Sequence, residues 1–342
     1  MYSAVPASIR CRCGKTAIML INLDSPMLIM KIDIFNHIYP DEYINAMGSI
    51  PDMVKNMANS LRALRDVEYR LSAMDKLGID QEVLSLAMPA IDGLGLDEKS
   101  TKHITVEANN GIRSLVEKYK DRFLGIGTVS LSDPDFAADE AKRCIHDLGL
   151  SGIQIVSNVN GKPIDGPERD GFYSVLESIG SGLWIHPTFM ASSYPWLKDY
   201  NADIMLGWDM DTTLAIFRLF RSGILERHEK LKVVVHHLGS IVPLLAGRIS
   251  DFAMQDATYV QNHRKNPLEV LKSLYVDTAE GMWDPWLRIA LDFFGIEHVI
   301  FGTDYPWGST EKIMDNINQL SLDETQKERI YSKNAIELLR AR

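Results

Sequence analysis

From residue 30 onward the chain alternates short, nearly unbroken apolar runs with longer stretches whose apolar positions recur at three and four. The short runs are 31–35, 81–87, 124–130, 152–156, 182–186, 232–236, 274–277 and 299–302. Strands that are apolar on both faces must be covered on both faces, which predicts parallel strands under a layer of helices. The helical stretches between them include 69–77, 136–148, 212–225 and 286–294, with Gly78, Gly149 and Gly295 standing where a helix should stop. Eight such strands close a (β/α)8 TIM barrel. A doubly wound open sheet would need a glycine-rich phosphate loop after the first strand, and Asn36-His37-Ile38-Tyr39-Pro40 is nothing of the kind. Two longer insertions, 41–66 and 88–102, follow strands one and two on the side where barrel enzymes keep their sites, and are expected to form a helical cap. With a helical tail over 325–339, residues 30–342 read as one barrel domain.

Residues 1–29 stand outside this pattern. Arg10, Arg12 and Lys15 precede a short apolar run, 17–23, that superficially resembles a signal peptide. Asp24 and Pro26 interrupt that run, and it is far shorter than the ~20 residues that span a bilayer. The segment is read as a disordered extension, with Met30 as the expected start of translation.

Composition narrows the class of partner. The 342 residues are 46% hydrophobic and 24% charged, ordinary for a globular chain, with a formal net charge of −10. An acidic balance without a lysine or arginine cluster speaks against nucleic acid and against an anionic membrane surface. Cys11, Cys13 and Cys144 form neither an even disulfide set nor a paired metal motif, which points to a reducing, cytoplasmic compartment. A small-molecule ligand is the expected partner.

Polar residues at strand ends carry the candidate chemistry, because strand ends in a barrel direct side chains toward a common centre. Such ends hold His37, His186, His237 and Asp304. Imidazoles and a carboxylate delivered by separate strands suit one divalent ion, zinc first and manganese second, with an open position for water or substrate. His37, His186 and Asp304 are the expected metal ligands, and His237 is expected to have a role in the same site. His236 should alternate to the other side of its strand and serve packing or support. His103, His146, His228, His263 and His298 fall on helices or loops and are read as surface or packing residues.

Five blocks carry a family likeness: Ile32 to Pro40; Arg70 to Asp80; Ile185-His186-Pro187; His237 to Pro243 with Gly247-Arg248; and Phe301 to Pro306. In this order and at these separations, residues 30–342 resemble the amidohydrolase-related branch of metal-dependent barrel enzymes. That branch holds aminocarboxymuconate-semialdehyde decarboxylase, γ-resorcylate and related hydroxybenzoate decarboxylases, and a few lactone hydrolases. The resemblance implies that His37, His186 and Asp304 bind the metal and that His237 polarises the bound water or substrate. It implies that Arg248 reaches across a homodimer interface to a substrate carboxylate. One departure stands out: the branch usually has a ligating His or Glu two positions before the second histidine, and this chain has Phe35, which cannot coordinate a metal. Gln154 lies on the fourth strand, where a binuclear hydrolase would carry its bridging lysine.

The expected activity is therefore non-oxidative decarboxylation of a small aromatic or unsaturated carboxylic acid. The metal would bind the acid through its carboxylate and a neighbouring oxygen, Asp304 or His237 would deliver the proton, and Phe35, Trp184, Trp208 or Trp307 would stack on a planar substrate. A lactone or amide hydrolase using the same parts, and a metal-free binding protein that kept the barrel, are the alternatives.

Overall fold

The computed structural model describes residues 29–49, 51–190 and 195–339; expectations for residues 1–28 lie outside the described residues. Eight parallel strands form the barrel: β1 (Ile32–Ile38), β2 (Gln81–Leu86), β3 (Phe123–Gly125, resumed at Gly127–Thr128), β4 (Gly152–Val156), β5 (Gly182–His186), β6 (Val233–Val235), β7 (Tyr275–Asp277) and β8 (Val299–Ile300). Neighbours pair in sequence order from β1 to β3 and from β3 to β8. The first and last strands meet through Ile34 N–H donating to Phe301 O at 3.0 Å and a parallel bridge between Asn36 and Tyr305. All eight runs expected from the sequence are strands, and helices such as Val67–Leu77, Pro134–His146, Trp208–Arg221 and Asp284–Phe294 cover them. Helix starts and stops have the expected chemistry: Asp133 caps the N-terminus ahead of Pro134, and Gly78 ends its helix at φ +67°.

The core divides into layers. The outer one lies between the strands and the helices. The inner floor is filled by Ile32, Ile34, Val83, Ile126, Trp184, Val234 and Ile300, closed by Ala335 and Leu338 of the C-terminal helix Asn334–Leu339. Trp184 corrects an expectation, since it is fully buried in this floor and not at the mouth. Its indole fits only because the neighbouring strand β4 and its own strand β5 both open on glycine: a Cβ on Gly152 or Gly182 would come within 2.1 or 2.7 Å of the ring.

A bulge in β1 sets the parity of the site. Asp33 pairs with Glu82 and Asn36 with Leu84, so two residues of β1 oppose one of β2. Below the bulge the even residues Ile32 and Ile34 fill the floor. Above it Phe35 and His37 turn to the interior, while Asn36 turns out to accept a 3.0 Å hydrogen bond from Arg70. The insertions fold as helices Asp41–Ala46 and Asp52–Ser60, which pack with helix Glu98–Lys118 around Tyr39, Tyr43, Val54, Leu86 and Ile104. Among the described residues no helix is long and apolar enough to cross a membrane.

Candidate active site

The carboxyl ends of β1, β5, β6 and β8 bring His37, His186, His237 and Asp304 into one contiguous group. His186 Nε2 lies 3.3 Å from His37 Nε2, and His37 Nε2 lies 3.1 Å from Asp304 Oδ1. His237 Nε2 approaches the other oxygen of Asp304 at 3.8 Å, an ion-pair distance. The far nitrogens of two rings are also held: His37 Nδ1 is 2.9 Å from Ser85 Oγ, and His186 Nδ1 is 2.6 Å from Pro187 O. Fixing one imidazole nitrogen orients the ring and selects its tautomer, which is how metal-binding and catalytic histidines are prepared. Trp307, half-exposed, sets its ring 5.4 Å from that of His37 at the edge of the group.

The loop after β6 has an unusual backbone. His237, Leu238, Gly239 and Ser240 all have positive φ, between 52° and 78°. Non-glycine residues hold such angles only where surrounding contacts enforce them. Asp277 at the end of β7 is the enforcing group: its carboxylate accepts from the backbone N–H groups of His237 and Ala279, both at 3.0 Å, and lies 2.5 Å from His236 Nδ1. This turn overturns one expectation. β6 stops at Val235, so strand alternation does not extend to the two histidines, and both rings are buried against Phe35.

The charges around His237 are predominantly negative. Burial resists ionisation of Asp304, but the contacts with His237 and His37 outweigh it and hold the carboxyl well below the usual range. Burial likewise opposes the charged form of His237, yet Asp304, Glu280 and Asp277 together lift it to about 10. Burial pushes Asp277 and Glu280 up to about 7 and raises Asp209 as well. Among the described residues none of these four carboxylates is bonded to a lysine or arginine. His186 is pushed well below its ordinary value, first by burial and then by the neighbouring imidazoles, and so is neutral and able to donate a lone pair.

Donor chemistry and adjacent spacings suit a divalent cation. Two ligands each ~2.1 Å from one ion stand roughly 3.0–3.4 Å apart, and the 3.1 and 3.3 Å separations fall in that window. The three side chains are nevertheless strung as a chain, and no group of three or more His, Cys, Asp or Glu among the described residues is gathered as a metal cage. Phe35 occupies the middle of the cluster, its ring 4.8 Å from His37 and 5.6 Å from both His186 and His237.

Arg248 is not part of this group. Its guanidinium lies 4.7 Å over the Phe252 ring, in a groove with Phe217 and Leu245 on helices Trp208–Arg221 and Val242–Gln255. The other histidines serve elsewhere: His228 faces Asp170 and Glu177, His263 contacts Glu226, and His298 contacts Leu274 O. Sequence reading missed Asp277, Glu280 and Asp209. Asp277 meets the strand-end criterion that found the others; Glu280 lies in a loop and Asp209 in the first turn of a helix, where a carboxylate is ordinary.

The amidohydrolase family profile matches residues 32–341. The 2-amino-3-carboxymuconate-6-semialdehyde decarboxylase of Dictyostelium discoideum is 30% identical over 280 residues, covering 80% of this chain and 76% of its own. The γ-resorcylate decarboxylase of Rhizobium sp. is 25% identical over 325 residues, covering 88% and 95%. A crystal structure of 5-carboxyvanillate decarboxylase from Novosphingobium aromaticivorans, complexed with manganese and 4-hydroxy-3-methoxy-5-nitrobenzoic acid, superposes with a TM-score of 0.81 at 24% identity, covering 91% of this chain and 96% of that one. Eight parallel strands, histidines and an aspartate at their carboxyl ends, and a profile match across the whole described barrel lead to one statement: the chain belongs to the amidohydrolase family.

Proposed function

We propose that this protein is a metal-dependent non-oxidative decarboxylase of a small aromatic or unsaturated carboxylic acid. The observation that supports this most is the contiguous His186–His37–Asp304–His237 group, in a chain whose curated relatives are decarboxylases. His37, His186 and Asp304 would hold one divalent ion; when bound, it supplies a Lewis acid that orients the substrate and disperses its developing negative charge. The manganese in the 5-carboxyvanillate decarboxylase structure favours manganese over the zinc first expected for this donor set.

The chain's own residues account for the proton. His237, buried with its Nε2 3.8 Å from Asp304 Oδ2, would carry the proton on that nitrogen. That proton passes to the carbon bearing the substrate carboxylate. The new C–H bond uses an electron pair of the substrate's π system; the bond from that carbon to the carboxylate then breaks, carbon dioxide leaves, and the electron pair of the broken bond restores the π system, so a proton has replaced carbon dioxide. Asp304 stabilises the imidazolium before transfer and orients the neutral ring afterwards. Phe35 and the buried walls exclude water that would protonate the site indiscriminately.

A homodimer completes this reading. Leu214, Phe217, Leu244, Leu245 and Phe252 make an exposed apolar face on two adjacent helices, with Arg248 among them. Paired across that face, Arg248 of one subunit would meet the carboxylate of a substrate held by the other.

The test is incubation of the manganese-loaded protein with 2,6-dihydroxybenzoate, 5-carboxyvanillate and, separately, simple lactones. Carbon dioxide release from an aromatic acid, lost in His186→Ala and Asp304→Ala, is the expected result. Lactone opening without any carbon dioxide release would replace this reading with a hydrolase.

A further inference from the structure

We infer that His236 supplies the site with the metal donor that Phe35 removes, so that the fourth protein ligand has moved from β1 to the loop after β6. The inference rests on the reading of the site as a divalent-metal centre.

Three observations lead here. Phe35 stands two positions before His37, on the interior side of the β1 bulge, where a donor would face the other ligands. The residue packed flat against it is His236, with ring centroids 3.6 Å apart and planes 15° from parallel. The His236 ring is also 5.6 Å from that of His186. The imidazole thus lies immediately behind the lost donor and beside an expected ligand.

The nitrogens of His236 differ in a telling way. Nδ1 is held by Asp277 at 2.5 Å, whereas Nε2 is buried without a hydrogen-bond partner among the described residues. It is the one imidazole nitrogen in that condition among those residues. A buried polar atom left unpaired is costly, and a phenylalanine or leucine would fill the same space without that cost. A carboxylate on one imidazole nitrogen with the other left free is the arrangement that orients a metal-binding histidine. Asp277 therefore does two things: it pins the left-handed turn that carries His237, and it presents the free nitrogen of His236.

The experiment uses the full chain stripped by chelator and titrated with Mn2+ alone and Zn2+ alone, reading affinity by competition against a chromophoric chelator. His236→Phe keeps an aromatic stack on Phe35 and should weaken binding at least tenfold. Phe35→His combined with His236→Phe returns a nitrogen to β1, keeps the stack and should bring affinity back to within a few-fold of the wild type. Thermal melts without metal identify any variant that fails to fold. Equal affinity in wild type and His236→Phe overturns the inference while leaving the metal centre standing. Failure of the wild-type chain to bind either ion overturns the metal centre itself, and the inference with it.

Discussion

Arg70 is fully buried, and its guanidinium reaches Glu82 at 2.7 Å, Asn36 Oδ1 at 3.0 Å, Ala63 O at 3.2 Å and the carbonyl of His37. It links the outward residue of the β1 bulge, the segment after helix Asp52–Ser60, and β2. Removing one member of a buried ion pair leaves an uncompensated charge and costs about 3–5 kcal/mol. Arg70→Met should lose that much in urea unfolding, with the largest effect on activity entering through a displaced His37. The double variant Arg70→Met/Glu82→Gln should recover part of the loss, because the stranded carboxylate is gone; no recovery would mean that the contacts to backbone carbonyls dominate. His237 gives a second residue-level expectation. Its proton affinity is raised by folding, from an ordinary ~6.5 to about 10. Its contribution to stability is therefore complete below pH ~6.5 and disappears as the pH climbs toward 10. In metal-free protein, the gap in Tm between wild type and His237→Gln should be widest at pH 6 and shrink by a few degrees by pH 10, at about 2 °C per kcal/mol. A gap constant across that range would show that the imidazole is not held charged. If His237 is the proton donor, the same variant in the metal-loaded enzyme should lose about 10²–10⁴-fold in kcat.

At the scale of elements, the sequence was most legible where one physical signal sufficed. Buried parallel strands must be apolar on both faces, so every barrel strand showed as an apolar run, and strand-end histidines stood out against that background. The same property hid the β1 bulge. With Ile32, Ile34 and Phe35 all apolar, the pattern carries no record of where the inward parity switches. The loop after β6 was hidden differently: strand alternation places His236 and His237 on opposite faces, and only the left-handed turn held by Asp277 reverses this. Glu280 and Asp209 came from a loop and a helix start, where carboxylates are too common to signal a site. The left-handed turn also makes its own prediction. Ser240 sits at φ 52°, ψ −136°, a region suited to glycine, with its buried hydroxyl facing the Asp209 carboxyl. Ser240→Gly should therefore stabilise the fold by roughly 1 kcal/mol, raising Tm by about 2 °C. A fall in Tm would mean that the hydroxyl holds the turn.

At the scale of the whole molecule, the proposed dimer turns on where Arg248 sits. The side chain lies on an exposed apolar face, apart from the histidine and aspartate group that would hold the proposed substrate. A two-fold contact through that face repeats the same exchange on both sides, because an isologous interface gives each subunit what it takes. Leu245→Asp should convert a dimer to a monomer in sedimentation velocity, since a charge at the centre of an apolar contact must be desolvated without a partner. The exchange itself is tested by complementation. His186→Ala and Arg248→Ala are each expected to be inactive as pure dimers. In a mixed dimer, the subunit carrying Arg248→Ala keeps its own histidine and receives an intact arginine from the His186→Ala subunit, so one of its two sites is whole. Random assortment of equal amounts makes half the dimers mixed and restores about a quarter of the sites. Activity that stays at the level of the separate variants, while sedimentation shows that subunits have exchanged, would place Arg248 outside the site of either subunit. The apolar face would then be an assembly surface with no part in substrate binding.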